Sequence, residues 1–133
     1  MTTYVDSSAL LKRYVDEPDS DVANDLLGAD DALVTGRHTI VEVRRNLARM
    51  LTGAALTEAR AAFATDVESF SLVELDAGTC ELAATIAEQS GVRTLDSLHL
   101  AAARRLGTAL HFVTFDVRQA VAARDLGFRV SGV

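Results

Sequence analysis

Four acids scattered along the chain have the type and setting for chemistry on a charged substrate: Asp6, Glu42, Asp96 and Asp116. Asp6 closes the short apolar run Tyr4-Val5, and Asp116 closes Phe112-Val113-Thr114-Phe115 in the same way. In open parallel sheets, sites form beyond the carboxyl ends of the strands. Two carboxylates at such ends would lie close together, which raises a pKa and costs stability unless a cation sits between them. Hard divalent cations take oxygen ligands of this kind.

Each acid also has an ordinary explanation. Asp6 could be a turn residue before Ser7 and Ser8. Asp116 could cap a helix, with Gln119 where a capping box would place it. Asp96 falls in the first turn of a helix, where the macrodipole favours a negative charge. Glu42 sits among Ile40, Val41 and Val43 in a helical segment. It is either paired with Arg45 or Arg49, which share its face by spacing, or turned into a polar cavity.

The elements that must position these acids alternate between strands and helices. Strands are predicted at Thr2 to Val5, Ala32 to Thr35, Ser71 to Leu75, His111 to Phe115 and Phe128 to Val130. Helices are predicted from Ser8 to about Val15, from Ser20 or Asp21 to about Leu27, and from Thr39 to Leu51 with Gly53 as the stop. Four more run from Thr57 to about Ser69, Ala77 to Ser90, Leu95 to Leu106 with Thr94 as cap, and Val117 to Asp125. Strands spaced by helices imply α/β architecture, a parallel sheet covered on both faces. At 133 residues, with 49% hydrophobic and a single proline, the chain fits one folded domain spanning 1-133.

Thirteen basic and nineteen acidic residues give a net charge of -6, which opposes general attraction to phosphates. Cations held by a carboxylate site would offset that charge locally. One cysteine, Cys80, excludes an internal disulfide and suits a reducing compartment; it reads as a small core residue. No apolar run approaches membrane length, so a soluble cytoplasmic protein is expected. His38, His99 and His111 have no second His or Cys at zinc-ligand spacing, and His99 reads as a packed residue. Arg37, Arg44, Arg45 and Arg49, around the Glu42 helix, form either a basic patch beside the acids or a solvated face. A phosphoryl-accepting receiver domain would need a lysine at a late strand end, and Lys12, in the first helix, is the only lysine.

Tyr4-Val5-Asp6-Ser7-Ser8-Ala9-Leu10-Leu11-Lys12-Arg13-Tyr14, Val41-Glu42-Val43, Arg93-Thr94-Leu95-Asp96-Ser97-Leu98-His99-Leu100-Ala101 and Val113-Thr114-Phe115-Asp116 together resemble the PIN-domain ribonucleases. Within that family they look most like the VapC toxins of bacterial toxin–antitoxin pairs. The block around Asp96 is the most specific part, and the likeness spans essentially the whole chain.

The resemblance implies a three-layer α/β/α sandwich, Mg²⁺ or Mn²⁺ in an acidic pocket, and cleavage of RNA. The family's acids fall on Asp6, Glu42, Asp96 and Asp116. Of these, Asp6 and Asp96 would be the main metal ligands, with Asp116 acting directly or through water, and Glu42 holding a water or serving as base. Ser7, Ser8 and Thr114 would be supporting hydroxyls; the family often has Thr where Ser7 stands. Arg37, Arg45 and Arg49 would contact RNA phosphates or antitoxin carboxylates. A homodimer and a small VapB-like antitoxin are the implied partners. Two alternatives of the same fold are an RNA-processing nuclease that is no toxin and a non-catalytic dimerisation module.

Overall fold

The computed structural model describes residues 2–29 and 32–133. Its five strands are β1 (Thr2–Val5), β2 (Ala32–Gly36), β3 (Ser71–Val73), β4 (His111–Thr114) and β5 (Arg129–Gly132). They form one parallel sheet in the order β3-β2-β1-β4-β5. Seven helices connect them: α1 (Ser7–Leu11), α2 (Ser20–Gly28), α3 (Thr39–Met50), α4 (Gly53–Val67), α5 (Ala77–Ser90), α6 (Thr94–Arg104) and α7 (Val117–Asp125).

Alternation along each strand divides the core in two. Tyr4, Val34 and Phe112 face one layer, with Ala83 and Ile86 of α5, Leu100 of α6 and Ala123 of α7. Val5, Leu33 and Val113 face the other, with Leu10 of α1, Leu27 of α2, Val43 and Leu47 of α3, and Phe63 of α4. The result is the α/β/α sandwich expected. The strand order reverses at β1, which pairs with β2 on one side and β4 on the other. Chain leaving β1 and chain leaving β4 therefore turn to opposite faces, and a crevice opens between their carboxyl ends. Asp6 and Asp116 are the residues at that crevice.

Several boundaries differ from the expectation. α1 is a short helix that tightens into turns after Leu11, so it does not reach Val15. Gly53 does not merely stop α3: at φ 57 it opens α4, four residues ahead of the predicted start at Thr57. Arg93, not Thr94, is the N-cap of α6, and it makes no side-chain cap bond. Cys80 is exposed on α5 and not part of the core.

The last strand is locked against the site by a glycine. Gly132 has φ 117, and a Cβ there would collide with the carbonyl oxygen of Thr114. Gly132→Ala should therefore destabilise the fold by about 1–3 kcal/mol, the scale of a strained backbone conformation. Equilibrium urea denaturation checks this, and an unchanged midpoint would contradict it.

Candidate active site

Asp6 lies at the join of β1 and α1, and both of its oxygens are occupied. Oδ1 accepts the Ala9 amide at 3.1 Å, capping α1, and the Ser8 hydroxyl at 2.7 Å. Oδ2 accepts the Thr114 hydroxyl at 2.5 Å. Thr114 in turn accepts the Asp116 amide at 3.1 Å, and Ser8 accepts the Phe115 amide at 3.0 Å. Two hydroxyls thus tie the end of β1 to the end of β4. The turn reading of Asp6 was half right: it caps a helix and is also drawn into the crevice.

Asp116 caps α7, accepting the Gln119 amide at 3.0 Å. The capping box is not completed, because the Gln119 side chain points elsewhere. Its Nε2 donates to the Asp96 carbonyl at 3.2 Å, joining α7 to the first turn of α6. That bond fixes where Asp96 stands. The exposed Arg93 guanidinium reaches both acids, with Nε 3.6 Å from Asp96 and a terminal nitrogen 3.8 Å from Asp116. A side-chain cation therefore already spans the gap between two of the carboxylates.

Glu42 takes neither of the arginine partners expected from helix spacing. Its Oε2 accepts the Ser7 hydroxyl at 3.2 Å, and its Oε1 lies 2.7 Å from His99 Nε2. The other nitrogen of His99 is 2.8 Å from the Tyr4 hydroxyl, whose oxygen accepts the Gly36 amide at 3.0 Å. With that amide donating to Tyr4, the phenol proton goes to His99 Nδ1 and the ring proton to Nε2, which donates to Glu42. Among the described residues Arg45 and Arg49 form no ion pair and are exposed, whereas Arg37, in the turn ahead of α3, pairs with Glu74 at 2.6 Å.

The electrostatics follow from this packing. Burial pushes the Asp6 carboxyl up, against the hydrogen bonds from Ser8, Thr114 and Ala9. Burial also raises Asp96, and the charges of Asp116 and Asp6 raise it further. Burial alone would raise Glu42 as well, but the hydrogen bonds from His99 and Ser7 outweigh it and hold Glu42 below its ordinary value. Glu42 is thus an ionised carboxylate beside two acids that resist ionisation. Oxygen donors that repel one another, with an arginine standing where positive charge is wanted, fit a hard divalent cation.

Sequence reasoning anticipated Asp6, Asp96, Asp116 and the hydroxyls of Ser7, Ser8 and Thr114, and the structure brings them to one crevice. It missed Tyr4, His99 and Gln119 as supports. Only the i,i+4 spacing of His38 and Glu42 hinted at a histidine role.

The family model described as PIN domain matches residues 3–125. The chain belongs to the PIN-domain family. Among curated relatives of this PIN domain, Ribonuclease VapC46 of Mycobacterium tuberculosis is 35% identical over 128 residues, covering 96% of this chain and 94% of that one. Ribonuclease VapC45 of the same species is 34% identical over 134 residues, covering 96% and 93%. Among solved structures, M. tuberculosis VapC20, described as a sarcin-ricin loop cleaving toxin, superposes with a TM-score of 0.71 at 18% identity, covering 98% of each chain. The DNA-bound VapBC complex of Salmonella typhimurium gives 0.72 at 15% identity, covering 98% of this PIN domain and 97% of that chain.

Because Asp6 and Asp96 are both raised, protonating them favours the folded chain. Their cost is present at neutral pH and fades as the pH falls through the raised values toward the ordinary 3.8. In EDTA, Asp96→Asn should therefore melt above the wild type at neutral pH, with the difference shrinking on acidification. Mn²⁺ should reverse the order, since a ligand at a hundred times its Kd stabilises the wild type by about 2.7 kcal/mol. Thermal melts across pH check both, and a variant that melts lower in EDTA at every pH would contradict the repulsion.

Proposed function

We propose that this PIN domain is a divalent-metal-dependent ribonuclease, one domain over 1-133, acting as the toxin of a VapBC-type pair. The observation that carries the reading is the convergence of Asp6, Asp96 and Asp116 on the crevice between β1 and β4. Curated relatives that share about a third of its residues over nearly the whole chain are named ribonucleases. Structural neighbours include toxin–antitoxin complexes, some bound to DNA. The proposed partners are an RNA substrate, a VapB-like antitoxin and a second copy of the chain. Among the described residues no helix is long and apolar enough to cross a membrane, which fits the proposed cytoplasmic setting.

Asp6, Asp96 and Asp116 would hold Mg²⁺ or Mn²⁺, which when bound supplies charge for the phosphate and lowers the pKa of water. Asp6 is oriented by Ser8 and Thr114, and Asp116 by its own cap bond, so neither carboxylate must reorganise to bind. Glu42 is the proton acceptor: it is ionised, and His99 and Ser7 fix its orientation while its lone pairs are not exhausted by two donors. Arg93, on the rim, is placed to meet a phosphate oxygen once a cation replaces it between the acids. Arg45 and Arg49, exposed on α3, would contact RNA or antitoxin carboxylates, and Arg37 can do so after leaving Glu74.

Cleavage of a structured RNA in Mg²⁺ or Mn²⁺ tests the reading. Asp6→Asn and Asp96→Asn should each lose roughly 10²–10³-fold in rate, the scale of removing one preorganised charge-stabilising group. EDTA should abolish cleavage, and induction of the wild-type gene without its neighbour should halt growth while Asp6→Asn does not. Cleavage that persists equally in both variants, or in EDTA, would overturn the assignment.

A further inference from the structure

On the histidine side of Glu42, within electrostatic reach of Asp6 and Asp96, lies a second group of potential ligand atoms. One ligand atom each of His38, Glu42 and His99 lies within 4.8 Å of the others. His38 is buried, and neither of its ring nitrogens has a hydrogen-bond partner. The Leu95 backbone lies alongside the ring without completing a bond. A buried imidazole with two unsatisfied nitrogens is costly, and such groups call for an explanation.

The surroundings accommodate this ring specifically. A Cβ on Gly36 would lie 2.5 Å from His38 Cε1 and 2.6 Å from Nδ1, so the glycine leaves the space that the imidazole fills. His38 Nε2 stands 3.7 Å from Glu42 Oε1, on the same oxygen that His99 Nε2 approaches to 2.7 Å. The two rings lie with centroids 4.1 Å apart. Burial pushes His38 down to about 4, so one of its ring nitrogens carries a free lone pair at neutral pH.

We propose that His38, His99 and Glu42 form a separate site for a borderline transition-metal ion of the Zn²⁺ class, distinct from the aspartate pocket and sharing only Glu42 with its rim. Two neutral imidazoles and one carboxylate are a donor set that zinc takes with a fourth position left open. Mg²⁺, which seeks oxygen, does not favour it. Bonds of about 2.0–2.2 Å at tetrahedral angles put ligand atoms roughly 3.3–3.6 Å apart. The 3.7 Å pair is close to this range, the 2.7 Å pair must open by less than an ångström, and the two histidine nitrogens lie within 4.8 Å of each other. On binding, the His99 proton moves from Nε2 to Nδ1 and is accepted by the Tyr4 oxygen, the outer-shell partner that metal-bound histidines require. The Tyr4 hydroxyl proton turns from Nδ1 to the Thr35 hydroxyl, the other side chain within its reach. Filling the site fixes Glu42 on the histidine side. The proposal does not rest on the nuclease reading.

Co²⁺, a spectroscopic stand-in for Zn²⁺, tests it with no RNA present. In the presence of excess Mg²⁺ to fill the aspartate pocket, the wild-type chain should bind one Co²⁺ with visible bands of tetrahedral intensity, and Zn²⁺ should bleach them. His38→Gln, which keeps bulk at the site, and His38→Ala should weaken Co²⁺ binding by more than the 10–100-fold typical of outer-shell losses. Circular dichroism confirms that each is folded, and the better-folded of the two is read. Asp96→Asn should keep the bands. Bands that survive both His38 substitutions, bands lost in Asp96→Asn, or no bands at all would overturn the site.

Discussion

The structure turns on the repulsion among three carboxylates at the point where the sheet reverses direction. Asp6 and Asp116 stand there because β1 and β4 are adjacent and parallel, and Asp96 because Gln119 ties the first turn of α6 to α7. Asp6 and Asp116 also cap α1 and α7, a role that Ser, Thr or Asn could fill without the charge. Burial and mutual charge work against the ionised forms of Asp6 and Asp96. A fold that keeps such a cluster gives up stability at neutral pH for a binding potential that a divalent cation satisfies.

What makes the cluster tolerable is that the carboxylates of Asp6 and Asp116 are already hydrogen-bonded. Asp6 accepts from two hydroxyls and an amide, and the hydroxyl of Thr114 carries the same network on to the Asp116 amide. Gly132 allows β5 to press against Thr114, so the outer strand of the sheet buttresses the inner pair. Glu42 belongs to a different network, the relay from Gly36 through Tyr4 and His99, which holds it ionised. The crevice is therefore two systems side by side: acids that resist charge, and one acid that is held charged.

How much of this was legible in the sequence depended on whether the deciding contact was local. Asp6 and Asp116 could be placed because each closes an apolar strand, and strand ends share an edge. The two-sided burial of Tyr4 and Val5, or Phe112 and Val113, likewise follows from strand periodicity. Asp96 had no local signal beyond a helix start and was assigned through resemblance. Glu42 was bracketed by Arg45 and Arg49 because i,i+4 neighbours can be seen along a chain. Its real partner, His99, lies 57 positions away on α6. Gln119 was assigned to a capping box that its own amide completes only halfway, since its side chain reaches 23 positions back to the carbonyl of Asp96. Cys80 was read as core from its neighbours, although it falls on the solvent side of α5.

A crystal grown with Mn²⁺ and measured for anomalous scattering tests the central claim most directly. The account predicts a peak in the β1–β4 crevice about 2.1 Å from carboxylate oxygens of Asp6 and Asp96, with the Arg93 guanidinium displaced from between Asp96 and Asp116. A protein that cleaves RNA in Mn²⁺ yet shows no peak among those carboxylates would contradict it.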